Sequence, residues 1–239
     1  MTSPAFTVAS YNIHKAIGLD RRHDPERIMT VLREMDADIV ALQEADRRFG
    51  TRATAIPRVL IEEHSAYRAV PLNVRPDSIG WHGNALFVRK SIPFSRASIV
   101  PLPMLEPRGA ICVDVDIAGQ PVRIIGMHLD ISGLRRRQQV RAIIAHAHAC
   151  GPAMPVVMMG DMNEWSLHGG ALREFAGGFT TLAPGRSFHA RRPVAQLDRI
   201  VISPGLHAQA TGVHHSALAA RASDHLPVWA RLEFGQGAA

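Results

Sequence analysis

The chain has 239 residues, 46% hydrophobic and 20% charged, a balance that supports a packed core and excludes a disordered chain. No window approaches the roughly 18 consecutive apolar residues a membrane-spanning helix needs, and residues 1–12 carry neither the basic nor the apolar region of an export signal, so a cytoplasmic protein is expected. Lys plus Arg number 27 against 21 acids, giving +6, and because Lys occurs only at Lys15 and Lys90 nearly all the positive charge is guanidinium, which suits a phosphate-bearing partner or reflects an arginine-rich composition.

The run Phe6 to Asn12 reads as a strand, followed by a charged loop. Asp24-Pro25 is a helix start, with Ile28, Val31, Leu32 and Met35 on one helical face beyond it. Asp38 to Glu44 is a short buried strand, which completes a β-α-β opening. Ala85 to Arg89, Ala110 to Ile117 and Pro121 to His128 read as strands, the last two joined through Ala118-Gly119-Gln120. Ile111, Val113, Val115 and Ile117 alternate with Cys112, Asp114 and Asp116, as one half-buried face requires. A helix is expected from about Leu134 to Cys150, stopped by Gly151-Pro152. Arg135, Arg136, Arg137 and Arg141 on it span too much of the circumference to meet one phosphate, so a solvated face is expected. His146 and His148, two apart, do not face each other and make no metal pair. Pro155 to Met159, Leu197 to Ser203, His207 to Val213 and Leu226 to Phe234 are the remaining strands, with a loop from Gly160 to Gly170 and a frayed tail from Gly235. Cys112 and Cys150 are too few for a disulfide framework and lack metal-site spacing, so they read as buried or half-buried thiols in a reducing cytoplasm. No linker or repeat interrupts the chain, so residues 1–239 are expected to form one domain. Its strands are too many for one open sheet, and two packed mixed sheets with helices outside are expected.

Polar residues collect where these strands end: Asn12, Glu44, His128, Asp161, Asn163, Asp198, Asp224 and His225. Strand-end loops on one side of a sheet converge, so these residues can line one cleft. Hard oxygens on Asn12, Glu44 and Asp224 suit Mg²⁺ or Mn²⁺, which keep several waters and take few carboxylates. An Asp can deprotonate a water, an imidazolium can stabilise charge on phosphorus oxygens, and a second Asp can keep that imidazole protonated. The combination fits hydrolysis of a phosphate ester.

The order of motifs resembles the endonuclease/exonuclease/phosphatase superfamily, with its deoxyribonuclease I-like fold. The matching stretches are Ser10-Tyr11-Asn12, Leu42-Gln43-Glu44, Gly83-Asn84-Ala85, Met127-His128-Leu129, Gly160-Asp161-Met162-Asn163, Leu197-Asp198-Arg199-Ile200 and Ser223-Asp224-His225-Leu226-Pro227, spanning nearly the whole chain. The resemblance implies a four-layered α/β sandwich of two mixed sheets flanked by helices, with the site at the sheets' rim. It implies Glu44 as principal metal ligand with Asn12 and Asp224 near the ion, and Asp161 positioning or deprotonating the water. It further implies that Asn163 orients Asp161 and the phosphate, that Asp198 pairs with a phosphate-contacting His225, and that His128 is a second phosphate-facing imidazole and a candidate acid for the leaving group. Asn84 is either a phosphate contact or a turn former. His14, just past Asn12, and Arg191 and Arg192, on the loop entering the Asp198 strand, are candidate substrate contacts, the two arginines reading equally as a solvated loop.

A phosphate-ester substrate is therefore expected, with nucleic acid as the leading class and a monomer favoured. A phospholipid headgroup, an inositol phosphate or another small phosphoester is the alternative, since aromatic content of 5% leaves few base-stacking platforms. A binding module that lost catalysis fits less well, because Glu44, Asp161, Asp198 and His225 are all present.

Overall fold

The computed structural model describes residues 4–47, 50–104 and 106–235; the expected frayed tail lies, past Gly235, outside them. The opening β-α-β is as expected: β1 (Ala5–Asn12), α1 (Pro25–Met35) and β2 (Ile39–Gln43), with β1 and β2 parallel. Asp24 caps α1 by accepting from the Arg27 amide at 2.9 Å, with Pro25 in the first turn, where no amide partner is lost. A short α2 (Arg58–Glu62) and β3 (Tyr67–Ala69) precede β4 (Ala85–Arg89), β5 (Phe94–Val100), β6 (Gly109–Ile117) and β7 (Gln120–His128). Then come α3 (Gly133–Ala149), β8 (Val156–Asp161), β9 (Thr180–Leu182), β10 (Asp198–Ile202), β11 (Leu206–Val213), α4 (Ala219–Ala222) and β12 (Val228–Phe234).

The strands form two six-stranded mixed sheets, β11-β12-β1-β2-β4-β3 and β5-β6-β7-β8-β10-β9. Val8, Ile39, Ala41, Leu86 and Val88 of the first sheet meet Ile111, Val113, Ile124, Val157, Met159 and Ile200 of the second. On the outer face of the first sheet, Ala9, Tyr11, Val40 and Leu42 pack under Ile28, Val31 and Leu32 of α1. On the outer face of the second, Ala110, Cys112, Ile125 and Met158 pack under Val140 and Ile143 of α3. Four layers result, as the sequence led one to expect.

Several details differ from the reading of the sequence. Strands β3, β5 and β9 lie at sheet edges and were not expected: two are three residues long, and β5 carries Ser95, Arg96 and Ser98 with a bulge between the serines. Both faces of β6 are covered, not one, because α3 lies over Cys112. The β6–β7 turn is the two-residue Ala118-Gly119, with φ of 52° and 85°, and Gln120 already belongs to β7. The Gly160 to Gly170 loop begins later than expected, since β8 runs on through Asp161. The arginine cluster of α3 is not a uniformly solvated face: Arg136 is buried, donating to Glu164 Oε2 at 3.2 Å and to the Ile131 carbonyl at 2.6 Å. Among the described residues, no helix is long and apolar enough to cross a membrane.

Candidate active site

The site forms where the polar ends of β1, β2, β7, β8 and β10 meet at the sheets' rim. Gly160 places Asp161 there. Its φ is 158°, and a Cβ would stand 1.8 Å from the Met127 carbonyl, so only glycine lets β8 lie this close to β7. His128 and Asp161 are then neighbours across β7–β8, and Asp198 faces Asp161 across β8–β10.

Asp161 is the centre. Its Oδ2 accepts from Asn12 Nδ2 at 3.0 Å and lies 3.3 Å from His128 Nε2 and 3.7 Å from His225 Nε2. Its Oδ1 accepts from the Asn163 amide at 2.9 Å. Asn163, at φ 50°, holds a left-handed conformation that Asn tolerates, and its Nδ2 donates to the Leu129 carbonyl at 2.8 Å. Burial works against an ionised Asp161, but His225 and His128 outweigh it and hold the carboxyl below its ordinary range.

His225 Nδ1 is 2.9 Å from Asp198 Oδ2, and the same oxygen accepts from Ser187 Oγ. Burial disfavours the imidazolium, yet the Asp198 and Asp161 carboxylates raise His225 to about 10. Phe188 packs on the ring, 4.9 Å between centroids. The structure thus brings together Asp198 and His225, which the resemblance pairs.

Glu44 follows β2 in a left-handed conformation, φ 55°, a strained geometry for a non-glycine residue of the kind that concentrates at functional sites. Its carboxylate meets the Lys15 ammonium. Burial opposes its ionisation, and Lys15 and His128 overcome that and lower it. Asn12 Oδ1 accepts from the His14 amide at 3.1 Å, while the His14 ring turns to the Ile17 carbonyl at 3.1 Å. Ser223 Oγ donates to the Asn12 carbonyl at 2.7 Å and lies 3.3 Å from Oδ1 of the half-buried Asp224. Asn12, Glu44 and Asp224 thus offer hard oxygen donors where a cation already balances a carboxylate. This donor set fits Mg²⁺ or Mn²⁺ and is unsuited to a soft metal.

The remaining candidates are less central. Asn84 is buried in the turn that lies against Glu44, its Nδ2 donating to the Trp81 carbonyl at 3.3 Å and its Oδ1 without a hydrogen-bond partner. Arg191 and Arg192 are exposed on the loop that carries Phe188. Three features were not anticipated. Arg108, just before β6, brings Nη1 to 3.0 Å from His128 Nδ1. Ser187 backs the dyad. A cavity of about 60 Å³ beside Glu44 is lined by Lys15, Arg47, Arg52, His82, Arg108 and His128, among others. Burial, with Arg52 and Arg75 adding to it, lowers His82 to about 4, so it enters that cavity neutral at pH 7. Exposed apolar side chains lie on the segments that follow site residues: Ile131 and Leu134 after His128, Trp165, 6.2 Å from the Phe188 ring, and Leu167 after Asn163, and Val194, whose amide donates to the Phe188 carbonyl at 2.7 Å.

Fold and site together define a phosphoric ester hydrolase. The chain belongs to the Endonuclease/Exonuclease/phosphatase family, whose family model matches residues 9–225. Solved structures repeat the fold. An endonuclease/exonuclease/phosphatase from Bacteroides vulgatus is 17% identical, TM-score 0.77, with 97% of this chain and 99% of that one covered. TDP2 of D. rerio, complexed with single-strand DNA product, is 16% identical, TM-score 0.73, with coverage of 96% and 99%. A mannosyl-6-phosphatase of Bacteroides thetaiotaomicron is 20% identical, TM-score 0.72, with coverage of 96% and 100%. No curated protein sequence matches the chain.

Proposed function

We propose that this chain is a divalent-metal-dependent phosphodiesterase of nuclease type. The observation that carries the reading is the convergence of Asn12, His128 and His225 on one oxygen of Asp161, with Asp198 behind His225. Glu44, Asn12 and Asp224 would hold Mg²⁺ or Mn²⁺, which polarises phosphate oxygen and offsets its charge. Asp161 accepts the proton of the attacking water, and Asn163 and Asn12 fix its carboxylate in place. His225, kept protonated by Asp198, donates to an oxygen of the scissile phosphate as negative charge grows there. His128 delivers a proton to the leaving oxygen, with Arg108 beside its ring.

Lys15, Arg47, Arg52 and Arg108 around the Glu44 cavity support a substrate with more than one phosphate, as a nucleic acid backbone supplies. Trp165, 63% exposed, offers a stacking face for a base. The D. rerio relative, complexed with single-strand DNA product, favours the same class. The exposed Ile131, Leu134, Leu167 and Val194 support a second reading, a phospholipid headgroup ester whose apolar portion rests on that rim.

Replacing Arg191 and Arg192 together by Ala discriminates between them. A nuclease loses duplex cleavage more than cleavage of bis(p-nitrophenyl) phosphate, and the log-affinity slope of the metal-free protein for duplex against log salt flattens by up to about two. Equal loss on both substrates assigns the arginines to the scissile phosphate and removes that support. Hydrolysis of phospholipid vesicles with DNA and RNA untouched selects the second reading.

A further inference from the structure

Three donors of a different chemical character meet on the far side of the second sheet. Cys112 stands on the face of β6 that looks at α3, because side chains alternate along a strand and Ile111 and Val113 fill the layer between the sheets. His146 lies in the last turn of α3 and Cys150 at its C-cap, and a spacing of four puts both on one helix face. The sulfur atoms of Cys112 and Cys150 and a ring nitrogen of His146 all lie within 4.8 Å of one another. Among the described residues, no other set of His, Cys, Asp or Glu gathers its ligand atoms so tightly.

The Cys112 and Cys150 thiols share a hydrogen bond, which leaves the third donor unaccounted for. His146 Nε2 is buried with no hydrogen-bond partner, and both cysteines are free thiols. Helix and strand also have a fastening apart from the cysteines: Arg123 donates to the Ala147 carbonyl at 2.8 Å and to both Asp114 oxygens at 2.7 and 2.9 Å. The donors are therefore brought together by a fastening that does not need them.

We propose that Cys112, His146 and Cys150 form a binding site for one Zn²⁺ ion, separate from the oxygen-lined phosphoesterase site. Two thiolates and an imidazole are a zinc donor set, and two negative sulfurs cancel the ion's charge, so the complex can sit in an apolar layer. Both S–H bonds are replaced by Zn–S bonds and the two protons leave to solvent. Zn–S of about 2.3 Å and Zn–N of about 2.0–2.1 Å place tetrahedral ligand atoms about 3.3–3.8 Å apart, so the cluster closes by about 1 Å. His146 and Cys150 are half-buried, so a water can complete the shell from the solvent side. Mg²⁺, a hard ion, has no affinity for such sulfur ligands.

The test is a Co²⁺ titration of the reduced, metal-stripped, full-length protein in excess Mg²⁺, which fills the oxygen site. The expected result is saturation at one equivalent of Co²⁺ with a thiolate-to-cobalt charge-transfer band that Zn²⁺ abolishes. Cys150→Ser, at the half-buried helix end, loses the band and stays folded by circular dichroism, and His146→Gln weakens binding. Glu44→Gln keeps the band at full height, which separates this site from the phosphoesterase reading. A folded wild-type protein with no such band, or an equal band in Cys150→Ser, overturns the proposal.

Discussion

Two charged networks are buried in the same sheet, and they are built differently. Under α3, Asp114 and Arg123 face each other across β6–β7 in a two-pronged pair whose remaining nitrogen donates to the Ala147 carbonyl, and Arg96 stands 3.6 Å from the same carboxylate. At the rim, Asp161 and Asp198 share His225, His128 crowds Asp161 with Arg108 against its ring, and Asp198 Oδ1 has no hydrogen-bond partner. The first network is satisfied and has nothing left to offer; it is a fastening. The second keeps unspent donors and acceptors in a low dielectric, where they are strong toward whatever charge is brought to them.

The sharpest break between the two is expected from Asp161→Asn. Turnover should fall by at least about 10²–10⁴-fold, the range for a lost acid–base group, while the thermal midpoint barely moves, because the amide can still accept from Asn12 and one buried charge is gone. An unaltered rate would move water activation to another residue. Arg123→Met should do the opposite. Leaving buried Asp114 with only the Arg96 guanidinium, 3.6 Å away, costs up to about 3–5 kcal/mol, read as a lower denaturant midpoint, with kcat on a small diester kept in the folded fraction. A loss of kcat with unchanged stability would erase the distinction.

Ser187→Ala probes the rim more gently. It removes a hydrogen bond to a buried carboxylate, about 1.5–3 kcal/mol, and leaves the Asp198 carboxylate more basic, a stronger partner for the His225 imidazolium. An NMR titration of the His225 ring should then show a higher midpoint than in the wild type. The same dyad sets the pH slope of stability in the metal-free protein. His225 is raised to about 10 from an unfolded value of about 6.5, so its contribution is complete below about pH 6.5 and lost as pH rises through 10. The difference in thermal midpoint between wild type and His225→Gln should shrink across that window; a difference that grows would reverse the assigned charge.

What could be read in the sequence, and what could not, divides along the same physical line. Asn12, Glu44, His128, Asp161, Asp198 and His225 are polar residues that close or open apolar runs, and a sheet must bring such ends together. The edge strands β3, β5 and β9 lack that signal, because an edge needs no buried alternation on both sides. Arg108 was invisible as a site residue: it reaches His128 only because Gly109 pairs with His128 across β6–β7. Cys112 and Cys150 lack metal spacing along the chain, and His146 and His148 face apart, but docking α3 on β6 sets Cys112 beside His146 and Cys150. Arg136 reads as surface until Glu164, from the loop after β8, comes to meet it.

The most direct measurement is the turnover of bis(p-nitrophenyl) phosphate by wild type and Glu44→Gln in EDTA and after restoring Mg²⁺ or Mn²⁺. The wild type should be silent in EDTA and recover with either ion, and Glu44→Gln should stay folded and recover little at ion concentrations that saturate the wild type. Equal wild-type activity in excess EDTA would contradict a metal-dependent phosphodiesterase outright.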